Sequence, residues 1–342
     1  MRDLTFKVFF VMTSEGMGRL VEYAKAGVFR RVLSSFAYKG PLEKLTATLG
    51  KEYTKKMDLF VDSGAFTVMT LGQEVNIDFY ADYLKKFRDE DNFQTLHAFN
   101  LDVIPKSRDL SGEAARLEVE RAAAESFNNY IYLTEKKGLD FIVPIFHYGE
   151  NDQWLKRMVD AGCQYIALGG MSGKIKGSTL KKEAFSHLFE RFREYNYRGK
   201  VHMLGLCMPD VLGDFPWYSV DATITKSAGY GHIYLFDEDK KDKKKVMVVS
   251  VSPIRARQGA VMAASVQDNY LVSQLKKVGI ESTMDELSKN FWLRVEACFR
   301  SWTKFEDWVN QERKKTGKAS VWDLYLQLEA SNMFEGLDSE KT

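Results

Sequence analysis

The 342-residue chain is 45% hydrophobic and 28% charged and holds six prolines, which excludes a disordered or fibrous chain and fits a globular protein with a large core. Forty-nine basic residues against 47 acidic ones leave a formal net charge of +2, so any nucleic-acid binding must come from a local patch rather than from overall charge. No stretch approaches the ~20 apolar residues of a spanning helix. The cysteines Cys163, Cys207 and Cys298 are scattered and lack metal-ligand spacing, so they read as reduced thiols of a cytoplasmic protein.

The first apolar run, FKVFFVM from Phe6, is too short for a signal-peptide core and reads as a buried strand. RVLSSF from Arg31, LFVDSGAF from Leu59 and LHAFNLDV from Leu96 follow it. FIVPIFHY from Phe141, YIALGG from Tyr165, VHMLGL from Val201 and YSVDATI from Tyr218 complete the series. Such near-continuous apolar runs are expected of parallel strands buried on both faces. Amphipathic stretches at 41–57, 77–87, 111–137 and 179–195 lie between them, and the seventh connection, 208–217, has room for a helical turn at most. Strict alternation of strand and helix predicts an α/β fold, a (β/α)8 TIM barrel over residues 1–236. The competing doubly wound sheet would carry a glycine-rich phosphate loop after its first strand, and none is present.

Beyond Tyr230 the pattern changes. GHIYLF, the charge run DEDKKDKKK and VMVVSVSP predict a hairpin with a polar tip, the lysines reading as a solvated turn in preference to a phosphate contact. From Gln258 the sequence reads as helical. Thr283 and Glu286 have capping-box spacing, a stripe from Met284 through Leu287, Phe291, Val295, Cys298, Trp302 and Phe305 to Val309 follows, and Gly317 offers a stop. Residues 237–342 are therefore expected to form a hairpin and helical extension packed on the barrel. Trp292, Arg294, Trp302 and Lys304 in that extension are candidates for a strand-binding surface.

In a β/α barrel the reacting groups sit at the carboxyl ends of the strands. Those ends carry Asp62, Asp102, His147, the pair Gly169 and Gly170, and Gly205, with Asp221 in the eighth strand. Any one of these aspartates alone is as readily a structural cap or ion-pair partner, but three at one rim point to a functional cluster. Two carboxylates facing one small substrate suggest displacement at an acetal-like carbon, one as nucleophile and one handling protons. A third can accept two N–H bonds from an amide-like edge, and a glycine pair lets a flat ligand approach the backbone.

Five segments in order resemble the tRNA-guanine transglycosylase superfamily, and within it the relatives that insert 7-deazaguanines into DNA. They are VDSGAFTVMTLG from Val61, FNLDVIP, PIFHYGE, YIALGGM from Tyr165, and SVDATITKSAGYGHIYLF from Ser219. The resemblance covers roughly residues 1 to 236. It implies exchange of guanine for a free 7-deazaguanine base such as preQ0, with Asp221 as the nucleophile on C1′ and Asp62 as the proton carrier. It further implies base binding by Asp102, His147, Gly169, Gly170, Met171, Ser63 and Gly205, and a target base taken out of its stack.

The chain also departs from that family. Ala65 and Thr67 replace a glycine and a glutamine of the first motif, His147 stands where the tRNA enzymes have a glutamine, and Ala222 and Ile224 replace polar residues after the nucleophile. The cysteine-rich zinc subdomain of the tRNA enzymes is missing, so no metal and no cofactor are expected. DNA is the expected polymer, with tRNA as the alternative; helper proteins or a homo-oligomer and no membrane complete the expected partners. Two other classes stay open, a silent nucleic-acid-binding partner subunit and an unrelated barrel lyase or metal hydrolase. The absence of a lysine at the strand ends and of a histidine on the first strand speaks against the last.

Overall fold

The computed structural model describes residues 5–12, 16–65, 67, 74–105, 112–170, 178–205, 209–212, 214–240, 245–251, 267–318 and 320–326. The expected strands and helices alternate along it: β1 Lys7–Val11, α1 Met17–Lys25, β2 Arg31–Ser35, α2 Lys39–Leu49, β3 Asp58–Asp62, α3 Ile77–Glu90, β4 Thr95–Phe99 and α4 Gly112–Ile131. The fifth strand, β5, comes in two pieces, Ile142–Val143 and Ile145–His147. Then follow α5 Asp152–Asp160, β6 Tyr165–Gly169, α6 Ser178–Glu194, β7 Lys200–Met203, α7 Pro209–Leu212, β8 Ser219–Ala222 and α8 Ile224–Gly229.

Every pairing in this sheet is parallel. The hydrogen-bonded order runs from the first piece of β5 through β4, β3, β2 and β1 to β8, β7, β6 and the second piece of β5. Both ends of the sheet thus belong to one strand, and the sheet is a nearly closed barrel of TIM type. Pro144 explains the split, since it has no N–H to give to the ladder. Asn100 spans the break: its N–H donates to Val143 O at 3.1 Å and its Oδ1 accepts from Ile145 N at 3.0 Å. On the other side Ala167 N donates to Pro144 O at 2.9 Å.

Inside the barrel Phe9, Leu33, Phe60, Phe99, Tyr165 and Tyr218 form a separate, largely aromatic core. The larger core lies outside, between strands and helices, and runs on into the C-terminal extension. The hairpin there pairs β9 His232–Phe236 antiparallel with β10 Val246–Ser250, so its first strand falls on the barrel side of residue 236. Residues 241–244 of the charge run, and residues 252–266, where the helical tail expected from Gln258 begins, lie outside the described residues.

The tail continues with α9 Asp268–Lys277, α10 Met284–Lys289 and α11 Phe291–Lys315. The capping box of Thr283 and Glu286 is present. The apolar stripe is one stripe on two helices, because Asn290 is extended and its side chain caps the second by accepting from Leu293 N at 3.1 Å. Two candidates for a strand-binding surface are corrected here. Trp302 is fully buried, and Arg294 is buried with its guanidinium on the carbonyls of Ala228, Leu287 and Ser288, so both serve packing. Trp292 is partly buried beside Gly16, while Lys304 is exposed.

The N-terminal end of the barrel is closed by charge. Asp58 accepts from Lys7 Nζ and Arg31 Nε at 2.9 Å each and from Thr95 Oγ1 at 2.7 Å. From α11, Glu306 pairs with Arg31 and accepts from Val8 N at 2.8 Å, and Asn310 brackets both backbone groups of Phe6 at 2.7 and 3.0 Å.

Candidate active site

Asp62 ends β3, Asp102 follows β4 and Asp221 lies in β8, so all three carboxylates belong to the carboxyl end of the barrel. The three are electrostatically linked: the charges of Asp221 and Asp102 both bear on Asp62. Their surroundings differ, and the differences set their chemistry.

Asp221 is buried; its Oδ1 accepts from Gly205 N at 2.6 Å and lies within hydrogen-bond distance, 3.2 Å, of His202 Nε2. Gly205 has φ of +65°, a left-handed conformation that turns its N–H toward the carboxylate and that a side chain would resist. Asp102 is also buried. Its Oδ1 accepts from Ser126 Oγ at 3.1 Å and its Oδ2 lies 2.9 Å from His147 Nε2. Ser126 comes from α4, and its Oγ also accepts from Val103 N at 2.8 Å, which fixes the loop that carries Asp102.

Among the described residues Asp62 has no cation or histidine paired with it. Burial and the neighbouring charges of Asp221 and Asp102 push its carboxyl up from 3.8 to about 6, against backbone N–H donation from Gly64 and Ser63. Gly64 is obligatory at this turn. It has φ of +76°, and a Cβ there would lie 2.5 Å from Ala37 Cβ and 2.7 Å from Ser35 Oγ.

The remaining candidates divide. His147 places Nε2 2.9 Å from Oδ2 of Asp102, yet that buried nitrogen makes no hydrogen bond among the described residues, so its donor is left over at the site. The hydroxyl of Ser63 is buried and has no hydrogen-bond partner among the described residues. At Gly169 and Gly170 the space a Cβ would take is bordered by Ile145, Leu204, His147 and Tyr148 at 3.1 to 3.5 Å, and Tyr148 N donates to Gly169 O at 3.0 Å. The glycine pair therefore admits the neighbouring β5 chain closely, a packing reason that the sequence alone did not supply. Met171 lies outside the described residues, as does Cys207. Ala222 and Ile224, apolar where the resembled family is polar, are both buried.

Sequence reasoning missed His202 and the role of Ser219. His202 is in β7, opposite Ser219 of β8, and both are fully buried. Alternation held a signal for Ser219, since it stands two residues before Asp221 and so on the same face of β8. Nothing in the sequence pairs His202 with Asp221, because that contact depends on strand register.

No protein-family model matches the chain, and no curated protein matches it in sequence. Among solved structures it is similar to a β-mannanase from a symbiotic protist of the termite Reticulitermes speratus, complexed with gluco-manno-oligosaccharide. The two share 11% identity with a TM-score of 0.38, over 64% of this chain and 79% of that one. A likeness that weak carries no argument about what this chain binds or does.

Proposed function

We propose that the protein is a transglycosylase that exchanges guanine for a 7-deazaguanine base in DNA through a covalent intermediate on Asp221. The observation that carries this reading is the unequal environment of Asp221 and Asp62 at one barrel mouth. A nucleophile must be ionised, and Asp221 has donors converging on its carboxylate. A proton carrier works best with a pKa near the working pH, and Asp62 is pushed up to about 6. A carboxyl raised by burial beside a second one held by hydrogen bonds suits an acid and nucleophile pair.

The Asp221 carboxylate attacks C1′ as the bond from C1′ to the guanine nitrogen breaks, and protonated Asp62 gives its proton to the departing base. The incoming base then returns a proton to Asp62, its nitrogen attacks C1′, and Asp221 leaves with configuration retained. Asp102, held through Oδ1 by Ser126, has lone pairs for the N1–H and 2-amino edge of guanine. The rim supports a base-bearing polymer as substrate. Among the described residues the exposed large apolar side chains are Tyr38, just after β2, and Phe79, Leu117 and Leu180, in the first two turns of the helices that follow β3, β4 and β6, which start from the end of the barrel that carries the carboxylates.

Incubation of the protein with duplex or single-stranded DNA, or with tRNA, and labelled guanine or preQ0 tests the reading. Label is expected in DNA and lost with Asp221→Ala. Label in tRNA alone moves the activity to that polymer, and label in neither overturns it. An Asp221→Ala protein as active as wild type overturns the role of Asp221 as nucleophile.

A further inference from the structure

Inside the barrel a polar chain runs through the aromatic core to the carboxylate of Asp221. His202 is fully buried, with its ring centroid 5.1 Å from Phe60, 5.2 Å from Phe99 and 6.4 Å from Phe9. An imidazole among aromatic rings needs partners for both nitrogens, and it has them. Nδ1 is 2.5 Å from Ser219 Oγ, and Nε2 is 3.2 Å from Asp221 Oδ1. The Ser219 hydroxyl, itself fully buried, also meets the hydroxyl of Tyr165.

We propose that His202 is a positioning residue that, with Gly205 N, clamps Oδ1 of Asp221 and so reserves Oδ2 for bond formation. The inference rests on the base-exchange reading for what Asp221 attacks. An ionised carboxylate only accepts hydrogen bonds, so Nε2 carries the hydrogen and donates it to Oδ1. Nδ1 of the neutral ring then accepts from the Ser219 hydroxyl, whose oxygen accepts from Tyr165, and every hydrogen in the chain has one acceptor. Two donors from different strands and loops converge on Oδ1. Oδ2 has no hydrogen bond from any described residue. Once the bond to C1′ forms through Oδ2, Oδ1 is the carbonyl oxygen of the ester. When the incoming base displaces Asp221, negative charge returns to the carboxylate where the two donors already point.

Three substitutions separate this role from mere packing. The amide nitrogen of His202→Gln falls about where Nε2 stands and can still reach Asp221, whereas that of His202→Asn falls about where Nδ1 stands and reaches only Ser219. His202→Leu reaches neither. In single-turnover reactions with DNA, trapped adduct is expected to form with Gln at about the wild-type rate. With Asn and Leu it should form about a hundredfold more slowly, with KM for DNA unchanged. Gln and Asn behaving alike, or all three matching wild type, overturns the proposal. Nitrogen-15 spectra of the wild-type histidines supply an independent check that needs no variant. His202 is expected to carry its proton on Nε2, and a ring protonated on Nδ1 alone overturns the clamp even if the variants fail to fold. A wild-type protein that forms no adduct sinks base exchange, while the spectra still decide whether the ring holds Asp221.

Discussion

Asp62 and His97 illustrate how single ionisable groups set the response of this barrel to pH. Asp62 has its carboxyl raised to about 6, above the ordinary 3.8, so the folded state binds that proton more tightly than the unfolded one. Its contribution to stability is fully present below pH 3.8 and is lost as pH rises through about 6. His97, inside the N-terminal end, is pushed down from 6.5 to about 4 by burial and by the charges of Lys200 and Lys7. The unfolded chain takes up that proton first, so stability falls as pH drops from 6.5 through about 4. The two effects oppose each other in the same window. Asp62→Asn should therefore stabilise the protein by about 1–3 kcal/mol at pH 7.5 and by little at pH 4. His97→Phe should flatten the acid limb by about 1–2 kcal/mol. Chemical denaturation across pH 4 to 8 measures both, and parallel curves for wild type and Asp62→Asn would show that the carboxyl is not raised. Of these residues the sequence made Asp62 legible, because it ends an apolar run in a barrel whose chemistry sits at strand ends. His97 and His202 were not legible, because a histidine inside a strand shows its partners only once register is known.

At the scale of elements, the eight apolar runs were readable because parallel strands buried on both faces leave few polar interruptions. The division of β5 at Pro144 was present in the letters, but its consequence, a strand that closes the barrel from both sides, depends on Asn100 taking over the missing hydrogen bonds. The tail shows the opposite case. Leu287 and Phe291 keep helical spacing across Asn290, so the stripe reads as continuous while the backbone restarts there. What the stripe could not reveal is the polar face of α11 that grips the barrel. Glu306 accepts from Val8 N and pairs with Arg31, so it ties the tail to β1 and β2 at once. Glu306→Ala leaves a buried N–H without an acceptor and Arg31 with Asp58 alone. It should destabilise the protein by about 2–4 kcal/mol, measured as a lower urea midpoint with an unchanged denaturant slope. A loss under about 0.5 kcal/mol would mean that α11 is held by its apolar stripe and not by this contact.

Across the whole molecule the two ends of the barrel are built for different purposes. The N-terminal end is closed by the paired charges of Lys7, Asp58, Arg31 and Glu306 and covered by α11. The carboxyl end carries three linked carboxylates, and the segments that leave that end after β2 and β3 hold apolar side chains left in solvent, with Phe79 at 71% exposure and Tyr38 at 57%. Rings left in water this way contribute nothing to folding, and stacking of unpaired bases is a use for them that fits a target base drawn out of its helix. Each stacked base contributes about 1–3 kcal/mol, so the double variant Tyr38→Ala with Phe79→Ala should raise KM for a DNA substrate by about tenfold or more. The rate of adduct formation at saturating DNA should stay as it is, because neither ring touches Asp62 or Asp221. Steady-state kinetics against DNA concentration, beside single-turnover trapping, separates the two quantities. A KM that does not move would place the polymer elsewhere on the rim, and a fall in the saturated rate would mean that these rings act on the reacting base itself.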